Sequence, residues 1–225
     1  MEFSEVVRRR RMVRRYDPDR GVSRGTVTAL LDLATRAPSA GFSQGWHFLV
    51  LDTPADRDRW WAVTARGEDS WLAGMRTAPV VVVLLADPRA YARRYAAADK
   101  VRSDLSTAAT GDPDRPDGLD RLDEPDVPDV PAWPVPWWDV DTGMAGLLTL
   151  LGAVDAGLGG CLAGVPADRW DAVRAAFDLP ERLRPVGIVT LGHPAPDADR
   201  GRGRTRRPLA ELVHWGRWGE PDEPG

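Results

Sequence analysis

Seven apolar residues in a row, from Val80 to Ala86, constrain this chain more than any other feature. The run is β-branched in character and of strand length, so it predicts a strand. Successive strand side chains point to opposite faces, and a strand with no polar residue must therefore be covered on both. Two further segments, 46–51 and 186–191, read as strands of the same buried sheet. Helical patterns cover 2–12, 23–36, 55–65, 68–77, 88–100 and 167–177, with Ser23 and Thr53-Pro54 as N-terminal signals. Helices thus alternate with apolar strands, no repeat is visible, and the class is α/β or α+β. At 225 residues a single domain over 1–225 is expected.

Gly143 to Val165 is almost entirely apolar, and its 23 residues are long enough to suggest a membrane span. Asp155 interrupts the run, however, and Gly157, Gly159 and Gly160 stop a helix near Ala156. A helix apolar all round also suits a buried core or a subunit interface, and that reading is preferred. Residues 111–136 hold many of the prolines and aspartates without periodicity, which reads as a long loop, a lid or excursion. The only cysteine is Cys161, so neither a disulfide framework nor a cysteine-based zinc site is available. The N-terminus lacks the apolar core of a signal peptide, so a cytoplasmic location is expected.

Charge is unevenly placed. The net charge is −4, which excludes nucleic-acid binding driven by bulk charge. Yet six arginines lie between Arg8 and Arg15 and five between Arg200 and Arg207. The first cluster has no interleaved aromatic until Tyr16, unlike a nucleic-acid arm. Arginines from both ends converging on one phosphate is the better reading, because guanidinium groups bind phosphate bidentately and keep their charge.

Other motifs yield to plainer readings. Gly41-Phe42-Ser43-Gln44-Gly45 matches a nucleophile elbow, with His193 or His214 as base, but that motif must join a strand to a helix and here the order is reversed. Gly157-Leu158-Gly159-Gly160 with Gly164 lacks the spacing and context of a dinucleotide fingerprint. Asp139 and Asp141 read as a solvated turn at a helix start rather than a metal site, and His47 as a hydrogen-bonded structural histidine within a strand.

Four segments together resemble the FMN-dependent nitroreductase family. Arg10-Arg11-Met12-Val13-Arg14-Arg15-Tyr16 is similar to its opening phosphate motif, and residues 37–48, Ala-Pro-Ser-Ala-Gly-Phe-Ser-Gln-Gly-Trp-His-Phe, to its Ala-Pro-Ser loop and strand. Asp141 to Gly164 resembles its long central helix and glycine-rich turn. Arg204-Thr205-Arg206-Arg207-Pro208-Leu209, with Val213-His214-Trp215, resembles its C-terminal phosphate segment.

The resemblance implies an α+β fold with a mostly antiparallel central sheet flanked by helices. It also implies a homodimer joined along a long apolar central helix, with FMN sites at the subunit interface. Arg10, Arg11, Arg14, Arg204 and Arg206 would hold the phosphate. Pro38, Ser39 and Ala40 would approach the flavin from the partner, supported by Gln44, and Ala163 and Gly164 would offer backbone groups to the ring edge. Phe42, Trp71, Trp137 and Trp138, with Trp133, are candidates for the substrate pocket. No catalytic protein side chain, metal, nucleic acid or membrane is implied, since the flavin carries the redox chemistry.

NADH or NADPH would reduce the flavin, and a flat electron-poor acceptor (a nitroaromatic, quinone or enone) would reoxidise it. Azoline oxidation, dehalogenation, flavin cleavage, a deazaflavin donor and a non-catalytic FMN-binding module are the alternatives. The chain departs from the pattern at Met12, Phe42 and Gly45. Trp71 and Gly74 stand where members often place polar or cationic groups near the flavin pyrimidine, with Arg76 the nearest cation.

Overall fold

The all-apolar run forms β2 (Val80–Ala86), whose seven residues are all buried. The computed structural model of the chain describes residues 1–67, 70–101, 133–198 and 205–219. β2 lies at the interior of a four-stranded sheet with β1 (Trp46–Leu51), β3 (Gly159–Ala163) and β4 (Arg184–Gly192), in the order β1-β2-β4-β3. Every neighbouring pair is antiparallel, and a register irregularity falls between Leu84 and Leu85.

The alternation of β2 divides the core into two layers. Val81, Val83 and Leu85 pack with Trp60 and Trp61 of α3 (Pro54–Thr64), Leu72 and Met75 of α4 (Ser70–Arg76) and Val173 of α8 (Trp170–Phe177). On the other face, Val80, Val82 and Leu84 pack with Val27 and Leu30 of α2 (Arg24–Ala34) and Leu150 and Ala153 of α7 (Trp137–Asp155). Coverage on both faces is what a strand without polar side chains requires. The class is α+β, an antiparallel sheet flanked by helices.

Capping sets the helix boundaries. Ser23 and Thr53 each accept a hydrogen bond from the backbone N–H three residues on, and Pro54 opens α3. α7 ends where the glycines begin: Gly157 takes φ +73°, and Leu158 N–H reaches the Ala153 carbonyl at 2.7 Å. That left-handed residue and the 6→1 bond close the helix as a Schellman turn. α7 is not buried all round, because Trp137, Val140 and Leu147 on one side are exposed. Among the described residues no helix is long and apolar enough to cross a membrane.

Three elements differ from expectation. Residues 159–163, read as part of a glycine turn, form β3. The first helix, α1 (Phe3–Arg9), stops before residue 12 because the following segment runs along β3: Val13 N–H donates to the Gly160 carbonyl at 2.9 Å. The helix expected over 88–100 breaks at Ala97 into α5 (Pro88–Ala96) and α6 (Ala98–Val101). Of the long loop expected over 111–136, residues 111–132 lie outside the described residues.

Candidate functional site

The arginine segment is built onto the β3 edge of the sheet. Arg10 closes α1, its N–H donating to the Val6 carbonyl. Its side-chain Nη1 is buried with no hydrogen-bond partner among the described residues. A buried guanidinium N–H left unpaired is costly, and an anionic oxygen is the acceptor that fits it. Arg14, half-buried, lies near Cys161 on β3: burial pushes the thiol pKa up, and the Arg14 charge partly opposes that. Arg11 and Arg15 are exposed, and Arg15 pairs with Asp197 at 2.8 Å. Arg206 is exposed in the C-terminal segment beside Leu209, Leu212, Trp215 and Trp218, which are exposed as well. Arg204 lies outside the described residues.

Two of the departures have structural causes. The Met12 sulfur accepts the Leu162 N–H at 3.4 Å and packs against the core, so this side chain serves the sheet edge. A side chain at Gly74 would force the backbone to shift, since a Cβ there would lie 2.3 Å from the Arg14 carbonyl oxygen. It is the platform for the arginine segment rather than a vacant polar position. Arg76 is exposed and engaged, and Trp71 is exposed.

The loop before β1 is the second assembly. Pro38 is exposed and Ser39 and Ala40 are half-buried. Ala40 N–H donates to Asp141 Oδ2 at 2.8 Å, and the Tyr91 hydroxyl donates to the same oxygen at 2.6 Å. Arg94 Nε donates to the Gly41 carbonyl at 2.8 Å, while its other two nitrogens are forked onto Asp99. Within the loop, Ser39 Oγ accepts the Gln44 N–H and Ser43 Oγ donates to the Ala40 carbonyl. The Gln44 side chain is exposed. Gly41, Phe42 and Gln44 all have positive φ, at 61°, 61° and 51°. For the two non-glycine residues that conformation costs about 1–2 kcal/mol each, so the surrounding bonds must hold it. Gly45, where the family pattern has proline, packs against Tyr91: a Cβ would sit 2.6 Å from the ring.

Several readings are corrected here. Asp141 is 1% exposed and not on a solvated turn. Asp139 is half-buried; burial raises its pKa, and Arg184 at 3.3 Å opposes that. His47 faces solvent on the edge strand β1. Ser43 spends its hydroxyl on the Ala40 carbonyl, which leaves no activated nucleophile in the Gly-x-Ser-x-Gly match. Among the pocket candidates, Phe42 and Trp137 are exposed. Trp138 is buried in an aromatic cluster, edge-on to Tyr91 and stacked on Trp133. Tyr91 and Arg94 were missed because no motif carries them, and Asp141, read as part of a solvated turn, is instead a buried acceptor for the loop.

Strand register relates the two assemblies. Trp46 opposes Ala86, Ala86 opposes Arg184, and Ala163 opposes Ile188. β3 therefore runs toward the end of the sheet where the loop enters β1, on the opposite edge, and its Ala163-Gly164 exit is level with Leu49. Three inter-strand spacings separate those edges, about 14 Å. Gly164 is exposed, and a Cβ there would meet nothing within 4 Å. Among the described residues no cluster of histidine, cysteine and carboxylate could hold a metal.

Comparison with known proteins gives a consistent result. The family profile "Nitroreductase family" matches residues 7–111 and 128–193. The chain is 31% identical over 208 residues to an NADH dehydrogenase of Thermus thermophilus, covering 92% of each. A Bacillus subtilis protein provisionally named NAD(P)H nitroreductase YdgI matches locally, 40% over 58 residues, 26% of this chain and 28% of that one. Among solved structures, a provisionally named nitroreductase of Desulfovibrio desulfuricans, in complex with FMN, aligns with a TM-score of 0.63 at 24% identity over 95% of each chain.

Proposed function

Because this chain belongs to the nitroreductase family, we propose that it is a homodimeric FMN-dependent oxidoreductase. It takes reducing equivalents from NADH or NADPH and passes them to a flat, electron-poor acceptor such as a nitroaromatic, quinone or enone. The observation that carries the proposal is the Arg10 Nη1 at the end of α1, buried and without a partner among the described residues. An anion-seeking group of that kind fits a flavin phosphate. The relatives support the redox class by name, and the Desulfovibrio protein binds FMN.

Each part of the chain then has a task. Arg10 and Arg14, joined by Arg204 and Arg206, hold the phosphate through charge-assisted bonds. Ala163 and Gly164 present backbone groups at the ring edge, where the open space at Gly164 permits close approach. Pro38, Ser39 and Ala40 of the partner close over the ring. The exposed α7 stripe of Trp137, Val140 and Leu147 forms the contact that brings the partner's loop across. Phe42, Trp71 and Trp137 supply apolar walls that exclude water. When bound, FMN supplies the hydride and electron chemistry, which explains why no protein acid–base pair is needed.

The test is an absorbance spectrum of the purified protein followed by anaerobic NADH and NADPH. The expected result is about one releasable FMN per chain, bleached by either nucleotide and restored by an acceptor. A flavin that neither nucleotide bleaches refutes the NAD(P)H oxidoreductase; a protein that refuses added FMN refutes the cofactor.

A further inference from the structure

We infer that Asp141, Tyr91 and Arg94 are positioning residues that hold the 38–45 loop in the single conformation able to meet the flavin. The inference rests on the functional reading above and deepens it.

Three observations lead to it. Two of the loop's residues, Phe42 and Gln44, carry positive φ without being glycine, a conformation the free chain would leave. The bonds that oppose this come from distant elements. Asp141, in the second turn of α7, receives the Ala40 N–H, and Arg94, on α5, takes the Gly41 carbonyl. Tyr91, also on α5 and wholly buried, ties the two helices together by donating to the oxygen that accepts from Ala40.

Those bonds are of the stronger kind. The Asp141 carboxylate is buried and receives both donors at one oxygen, and the Arg94 guanidinium is oriented by two bonds to Asp99. Ionised partners make the bonds shorter and stiffer than neutral ones. The effect is preorganisation: the loop meets its ligand already shaped, and binding does not have to order it. Gly41 and Gly45 fit this design, for their missing side chains let Tyr95 and Tyr91 press directly on the loop backbone. None of the three residues touches the flavin in this scheme; they act through Ala40 and Gly41.

The experiment uses the whole chain and four variants, the fourth being Asp141→Ala. Tyr91→Phe removes one hydroxyl from a packed ring, Arg94→Met keeps the aliphatic stem, and Asp141→Asn keeps an acceptor while removing the charge. Two quantities are read: peptide-resolved amide exchange over 39–44 without flavin, and the FMN dissociation constant from quenching of flavin fluorescence. Tyr91→Phe and Arg94→Met should each speed exchange over 39–44, leave the sheet amides protected, and raise the FMN dissociation constant about tenfold, or 1.4 kcal/mol. Asp141→Asn should lose less than Asp141→Ala.

FMN affinity within twofold of wild type in both Tyr91→Phe and Arg94→Met overturns the inference. So does a loss of affinity accompanied by faster exchange across the whole sheet, which is general destabilisation. A wild-type protein that takes up no FMN overturns the functional reading itself, and that result is visible before any variant is compared.

Discussion

Replacing Gly74 with alanine sets two opposing effects against each other. In the interior of a helix the exchange ordinarily stabilises by up to about 1 kcal/mol, since alanine loses less backbone entropy. Here the new Cβ would land 2.3 Å from the Arg14 carbonyl oxygen, against the 3.4 Å at which such a contact becomes ordinary. About 1.1 Å of movement is needed. The neighbour is backbone, held one residue earlier by the Val13–Gly160 bond and two residues later by Tyr16 N–H on Thr77. Overpacking costs about 1–3 kcal/mol, and a clash with pinned backbone belongs at the top of that range.

The net is a loss of about 2 kcal/mol, or about 4–8 °C in Tm for a chain of this size. Moving Arg14 should also weaken FMN binding by about 10- to 150-fold, one charge-assisted bond's worth. Urea unfolding and flavin titration read the two effects. Gly25→Ala is the control: it lies in α2, its Cβ would meet only Ser23 Oγ at 3.8 Å, and it should stabilise slightly. A Gly74→Ala protein as stable as wild type would refute the close approach of α4 to the arginine segment.

Arg10→Ala removes no bond from the Nη1 atom and relieves a buried unpaired N–H, so the flavin-free protein should be no less stable than wild type, while FMN affinity falls about 10- to 150-fold; full flavin occupancy would place the phosphate elsewhere. Leu147→Glu puts a charge on the exposed α7 stripe and should give a folded monomer by light scattering, with FMN lost alongside the dimer; a flavin-loaded monomer would refute a site shared between subunits. Burial raises the hydroxyl pKa of both Tyr16 and Tyr91 above 10, so the unfolded chain loses these protons first. Their contribution to stability is intact below pH 10 and falls above it, by at most about 2.7 kcal/mol per pH unit for two protons. Urea midpoints between pH 9 and 11 test this, and a flat profile would refute the burial of both hydroxyls.

The layered fold was legible because its strongest signal is local. An apolar β-branched run can only be a covered strand, and Ser23, Thr53-Pro54 and Gly157 mark helix ends through chemistry that acts within four residues. β3 was not legible for the opposite reason. Its glycines resemble a turn, but their role is thinness: a Cβ on Gly159 would meet Val13 at 2.7 Å, and one on Gly160 would meet Leu150 at 2.8 Å. Val13 lies far along the chain from Gly159, and no window of sequence contains both. The same long-range pairing ends α1 at Arg9, where periodicity alone would continue to residue 12.

The candidate site divides in the same way. The arginine clusters and the Ala-Pro-Ser loop could be read from residue types in short motifs, because phosphate affinity and backbone approach are properties of those side chains themselves. What shapes the loop could not be, since the Ala40–Asp141 bond spans 101 positions and the Arg94–Gly41 bond 53. Gly74 misled for a related reason: an absent side chain looks like a lost contact until the carbonyl that excludes it is located. The larger consequence comes from register. A motif has no edge, but a strand does: the pairing Trp46–Ala86–Arg184 puts the loop at one end of β1, while Met12 and Val13 join β3 at Gly160, which opposes Leu191 and through it Val80, so the loop and the arginine segment lie on opposite margins and opposite ends of one sheet. Halves that far apart on one chain cannot close on a single ligand by themselves, and in the proposed dimer they would meet across a two-fold axis beside the exposed α7 stripe, where each interface contact is made twice.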